Sequence, residues 1–324
     1  MATLKTAFWK YDRTLPLLEG VTKIEGHALA IEINRPEVIF ERAFSSAEFD
    51  LCELSLSNSI TAISKGEFPY ILIPVFLARA FRHSSIIVRL DRGIRGPQDL
   101  RGKKVGLQEY GMTAAVVIRG FLRDYGVDPR DIQWRVGEKG LFKPLDFPAG
   151  RPPEGVNIEM LSSDTSLEDR LNSGELDAAF LVRRPTSLGR ADSKIAPLFA
   201  DATSAEKEWY SLKKIFPIMH AVGIRKSLLN DDLNLGRRIF DAFQAAKQVA
   251  ISELEVTQAP KVTLPWPHAA VGDARTLMGH DYWPYGIKAN RHVLETQIRW
   301  SFLDGLQARP VALKEMFAED CLNT

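Results

Sequence analysis

Cysteine is nearly absent. The 324 residues hold only Cys52 and Cys321, far apart in the chain, so no disulfide framework organises the fold. Cys52 lies in an apolar run and reads as a small buried side chain. Excess charge of either sign is missing too. Lys and Arg number 42 against 41 Asp and Glu, a net charge of +1, which removes the electrostatic case for nucleic acid or an anionic membrane surface. No uninterrupted apolar stretch is long enough for a membrane span. The opening residues, MATLKTAFWKYDRT, lack the basic segment, apolar region and cleavage site of a secretory leader. A cytoplasmic location is the expectation. There is no nucleotide-binding glycine motif, no cysteine cluster and no His-x-x-x-His pair, so the sequence carries no cofactor or metal-ligand signature, and metal dependence is left open. What remains is an ordinary soluble composition, 45% hydrophobic and 26% charged, in a chain long enough for two domains.

The strongest signal lies at residues 73–90, IPVFLARAFRHSSIIVRL. Residues 71–76 read as a short buried strand and 85–90 as a second one. Between them come Arg79, Arg82, His83 and Ser84. Arginine's planar fork matches a carboxylate at two points, and histidine exchanges a proton near neutral pH. Either arginine alone is accounted for as charge on a solvated loop. The set, interleaved with Phe76, Leu77 and Phe81, is a candidate anion site.

The rest of the chain alternates strands and helices. A strand at 6–9 leads to Tyr11, Asp12, Arg13 and Thr14, where an open α/β sheet binds ligands. A strand at 28–33 precedes a helix opened by Pro36. A strand at 49–54 runs into Ser55, Leu56, Ser57 and Asn58 and a helix through Lys65. Serines at a helix start cap its free N–H groups or hold an anion beside them. A linker rich in Gly, Arg and Pro follows at 93–104. The strand 105–107 and the turn Tyr110, Gly111, Met112, Thr113 then lead into a helix at 114–125. Residues 137–155 read as a surface excursion. A helix at 166–174 is stopped by glycine, and a buried strand at 177–182 ends in Arg183 and Arg184. A strand at 216–225 contains His220, which taken alone reads as a core histidine. A long helical region spans 228–254, Trp283 and Tyr285 lie in an aromatic cluster, and a last helix spans 293–306.

This order predicts two α/β lobes, one built from residues 1–91 and 218–324 and the other inserted at 92–217. The strands 85–90 and 218–224 are expected as crossovers. That is the type 2 periplasmic-binding-protein-like topology, with ligand in a cleft between lobes that close about a hinge. Asp12, Arg13, Ser55, Ser57, Asn58, Arg79, Arg82, His83, Ser84, Tyr110, Thr113 and Arg183 are all expected to face that cleft.

The chain resembles the 4,5-dihydroxyphthalate decarboxylase family. The resemblance rests on WKYDRT at 9–14, ELSLS at 53–57, IPVF at 73–76, FRHSS at 81–85, EYGMTAA at 109–115, FPIMH at 216–220, and Met278-Gly279 with WPYG at 283–286. It covers nearly the whole chain. It implies a carboxy-lyase that needs no cofactor and acts on an aromatic dicarboxylate. In such a substrate each phenolic hydroxyl is para to a carboxyl-bearing carbon, so the ring itself accepts the electrons released with CO₂. The implied catalytic residues are His83, His220 and Asp12. Arg13, Arg82 and Arg183 would hold the retained carboxylate with Ser57 and Thr113 as neutral donors, and Trp9, Trp283 and Tyr285 would form a dry wall. Ser55, Arg79, Ser84 and Tyr110 complete the expected substrate contacts. Two other functions share this fold: a solute-binding or sensor protein for an aromatic or dicarboxylic acid, and a biosynthetic enzyme acting on another aromatic acid. Homo-oligomerisation is left open.

Overall fold

The computed structural model describes residues 2–139 and 147–324. Part of the excursion expected at 137–155 therefore lies outside the described residues. In chain order the strands are β1 (Ala2–Phe8), β2 (His27–Ile33), β3 (Leu51–Ser55), β4 (Tyr70–Arg79), β5 (Ile86–Arg89), β6 (Lys104–Leu107), β7 (Gln133–Val136), β8 (Asn157–Met160), β9 (Ala178–Phe180), β10 (Ile195–Pro197) and β11 (Ile218–Arg225). They form a five-stranded sheet, β2-β1-β3-β11-β4, and a six-stranded sheet, β10-β5-β9-β6-β7-β8. Each sheet is mixed, and helices pack against both.

In the first sheet β3 is central, lying between parallel β1 and antiparallel β11. Every residue of its LCELS sequence is buried, as expected of a strand covered on both faces. The strand β4 is at the edge, where the missing N–H of Pro74 is tolerated. Its register against β11 shifts on both sides of His220, and irregularities of this kind re-aim a side chain.

Sheet membership changes between Arg79 and Ile86. The strand β5 pairs with β9 and β10, so residues 86–89 belong to the second sheet, whereas the sequence reading assigned everything through 91 to the first lobe. The crossing itself is the stretch 80–85. It runs beside the return crossing, with the Ala80 N–H donating to the Pro217 carbonyl at 3.2 Å. Phe81 stacks on Phe216 at 4.9 Å between ring centroids.

Arg79 is the last residue of β4 and not part of a loop. The helical region at 228–254 is two helices, Lys226–Asp231 and Leu235–Leu254. They are separated at Asp232 and Asn234, whose side chains compete for backbone hydrogen bonds. The helices Ala202–Lys213 and Pro267–Met278 and the short strands β8 and β10 had no sequence counterpart.

Helix Arg291–Leu303 packs against both Leu56–Lys65 and Thr113–Asp124, and so touches elements beside both sheets. The Trp300 ring lies against Gly120 so closely that a Cβ there would sit 2.2 Å from it. Just beyond the helix, Asp304 accepts from Arg119 at 2.7 Å, both side chains fully buried, and from Arg123 at 2.5 Å.

Candidate active site

A cavity of about 630 Å³ opens between the two sheets. Helix Pro36–Ser46 supplies Pro36, Glu37, Phe40 and Phe44, and helix Leu56–Lys65 supplies Asn58, Thr61, Ala62 and Lys65. Spacings of three and four put each set on one helical face. Met219 and His220 enter from β11, and Ser55 from the end of β3. Across from them stand Glu109, Met112 and Thr113, which follow β6, and Val182 and Arg183, which follow β9. Arg82 reaches the cavity from the crossing.

The chemical centre is a buried carboxylate behind a histidine. Glu53 is completely buried in β3. One of its oxygens accepts from the Tyr11 hydroxyl at 2.7 Å and lies 2.6 Å from His220 Nδ1. The other accepts from the Trp9 N–H at 3.0 Å. Burial pushes the Glu53 carboxyl up, but the hydrogen bonds and charge of His220, with Trp9 and Tyr11, outweigh it and hold the group below its usual range. The carboxylate therefore accepts the Nδ1 proton of His220, which leaves Nε2 for the cavity. Phe40 meets the imidazole edge to face at 4.8 Å. The Tyr11 hydroxyl is held well above its ordinary range by burial and by the neighbouring Glu53 charge, so it remains a donor.

Glu109 also lines the cavity, and burial raises its carboxyl to about 7. A carboxylic acid that titrates there can hold a proton and release it at physiological pH. Arg82 is largely desolvated, which lowers its pKa, with Glu206 opposing the shift, and its buried Nε has no hydrogen-bond partner among the described residues. The Thr113 hydroxyl accepts from the Ser57 N–H at 3.0 Å and lies 3.1 Å from Ser55 Oγ. These contacts join the two sides of the cavity floor. At the mouth Arg183 and Glu37 approach to 3.5 Å, both well exposed. Among the described residues, no group of three or more His, Cys, Asp or Glu gathers where it could hold a metal ion.

Of the residues singled out from sequence, Ser55, Arg82, Thr113, Arg183 and His220 meet at this cavity. Ser57 lies behind it, its hydroxyl buried and without a hydrogen-bond partner among the described residues. His83 does not reach it. Its ring stacks on Phe121 at 4.2 Å, with Phe199 and Trp209 at its edges, and burial lowers its pKa to about 4. A neutral histidine sealed among aromatics is a core group. Arg79 is buried as well and is spent on the carbonyls of Phe216 and Pro284 and on Asn290.

Asp12 pairs with Arg13 at 2.9 Å. Arg13 donates to the Leu77 carbonyl and is sandwiched between the rings of Tyr11 and Trp283. Trp283 donates to the Phe76 carbonyl, and Lys247 lies over the ring of buried Tyr285. Tyr110 is buried against the Arg119 guanidinium at 3.8 Å. Trp9 and Ser84 are exposed away from the cavity. The aromatic wall consists instead of Phe40 and Phe44.

Sequence reasoning passed over Glu53, Tyr11 and Phe40 as working parts. One signal was available for Glu53: a lone carboxylate inside an otherwise apolar strand must be paired. Nothing local marks Phe40, which faces the cavity only because its helix packs beside β3.

The two sheets with crossings between them define a fold of the periplasmic-binding-protein type. The fold is similar to that of the periplasmic aliphatic sulphonate binding protein SsuA from Escherichia coli, with a TM-score of 0.52 and 14% identity over 100% of both chains. A family model described as "NMT1/THI5 like" matches residues 57–146. Among curated proteins, a 4,5-dihydroxyphthalate decarboxylase from Comamonas testosteroni is 40% identical over 97% of this chain and 96% of its own length. One from Pseudomonas putida is 39% identical over 64% of this chain and 81% of its own. The chain belongs to the 4,5-dihydroxyphthalate decarboxylase family.

Proposed function

We propose that this chain converts 4,5-dihydroxyphthalate to 3,4-dihydroxybenzoate and CO₂, and that the cavity between the lobes is where it does so. One observation carries the placement: the Glu53-backed His220 faces the same cavity as Arg82 and the proton-holding Glu109. Arg82 holds the carboxylate that stays, through charge-assisted hydrogen bonds. Thr113 and Ser55 offer hydroxyls to the ring substituents. His220 Nε2 accepts the proton of the hydroxyl para to the carboxylate that leaves. Glu109 gives its proton to the ring carbon bearing that carboxylate, and the ring becomes a dienone. The carbon–carboxylate bond then breaks, its electron pair restores the aromatic ring, and the proton on His220 returns to the oxygen. Glu109 is reprotonated from solvent, so each turnover consumes one proton. Glu53 positions the imidazole and stabilises its cationic form. Phe40 and Met219 exclude water, which strengthens each of these interactions.

On this reading the ligand is a small aromatic dicarboxylate and the reaction is a step of phthalate degradation. We place it in the cytoplasm, which fractionation tests. The decisive experiment supplies 4,5-dihydroxyphthalate to the purified protein in D₂O. The expected result is stoichiometric CO₂ and one deuterium at the carbon that lost it. Tight binding without CO₂ would overturn the proposal in favour of a solute-binding role.

A further inference from the structure

The cavity continues well beyond the chemical centre. Its row of residues on helix Leu56–Lys65 begins at Asn58 and ends at Lys65. Seven residues of helix span about 10 Å, so Lys65 stands roughly that far along the axis from the inner end. Helix Pro36–Ser46 runs beside it with Phe40 and then Phe44. A volume near 630 Å³ falls in the range of about 300–1,000 Å³ that encloses a drug-sized ligand, whereas a dihydroxyphthalate is one ring with four small substituents. The outer part has a composition of its own. Phe44 and Ala62 form apolar walls, Lys65 supplies a cation, and Thr61 is buried with its hydroxyl unpartnered among the described residues. An aromatic face, a hydroxyl and an ammonium together suit a benzene ring that carries one carboxylate.

We propose that this outer compartment, bounded by Phe44, Thr61 and Lys65, is a second subsite that binds an aromatic monocarboxylate while the inner site is occupied. The ligand class rests on the decarboxylase reading, since the product is itself such an acid. A monocarboxylate held there crowds the cavity beside the centre, so product at high concentration slows turnover by more than its competition for the inner site accounts for.

Calorimetric titration with 3,4-dihydroxybenzoate, and separately with benzoate, tests the subsite without turnover. The wild-type chain is expected to take up two equivalents of 3,4-dihydroxybenzoate. Lys65→Gln, at an exposed position outside the reaction chemistry, is expected to weaken the second equivalent at least tenfold while kcat/KM for 4,5-dihydroxyphthalate stays within twofold. Phe44→Ala is expected to weaken the same equivalent for both ligands. A single equivalent in the wild type overturns the proposal. So do two equivalents that Lys65→Gln leaves unchanged. Because stoichiometry is read without catalysis, failure of the decarboxylase reading would appear as missing CO₂ with binding intact, a separate result.

Discussion

Replacing Glu109 with glutamine should make the protein more stable and less active at the same time. Burial raises the Glu109 carboxyl from 4.5 to about 7, so the folded state holds a proton that the unfolded chain has released. The sign follows from linkage. Between those two values folding takes up a proton, and stability falls as pH rises. The full penalty is present above the folded value. At 1.36 kcal/mol per pKa unit it is about 3 kcal/mol as an upper figure. Glutamine keeps the shape and carries no charge, so Glu109→Gln should unfold at higher denaturant than wild type at pH 8.5 and at nearly the same denaturant at pH 4.5. Turnover should fall roughly 10²–10⁴-fold with the proton donor gone. In the wild type, kcat/KM should decline as pH rises through about 7. Urea denaturation at a series of pH values, with rates measured on the same samples, gives both readings. A stability difference that does not vary with pH, or a variant that keeps its rate, would refute the reasoning.

The two histidines should separate cleanly. His220→Asn is expected to bind 4,5-dihydroxyphthalate and lose about 10²–10⁴ in rate, while His83→Asn, altered within its aromatic cage, should keep its rate per folded molecule and lose stability in thermal melts. Arg82→Ala should weaken substrate binding in calorimetry by about 1.5–3 kcal/mol, the worth of a charge-assisted hydrogen bond; unchanged affinity would remove Arg82 from the site. Gly120→Ala would drive a Cβ into the Trp300 ring and should cost about 1–3 kcal/mol of stability, as overpacking does, visible as a lowered Tm.

Strand-and-turn punctuation made most of the fold legible, because β3, β6 and β9 are short apolar runs that stop at hydroxyl-bearing or basic turns. Those turns gave Ser55, Thr113 and Arg183 directly. Histidines were harder. His83 and His220 both stand next to strand signals, and what separates them is tertiary. One is sealed by Phe121, Phe199 and Trp209 from elsewhere in the chain, and the other is turned to the cavity by the irregular pairing of β11 with β4. Arg13 reads as a cation for the retained carboxylate and Trp283 as part of a dry wall, yet the two pack on each other. Helix Ala202–Lys213 escaped notice because most of its residues are polar and only Trp209 is buried, which leaves little periodicity to see.

The contacts of Asp304 and Trp300 with helix Thr113–Asp124 bear on how the cleft can open. A body held at one point can turn in any direction, and a body held at two can only swing about the line that joins them. The neighbouring crossings at Ala80 and Pro217 make one such point. The buried Arg119–Asp304 pair makes the other, because separating it would strand a charge at a cost of about 3–5 kcal/mol. An opening that kept both points intact would be a door-like swing. In such a swing Arg82, by one pivot, would stay in place, whereas Arg183, facing Glu37 at the mouth, would travel with the door.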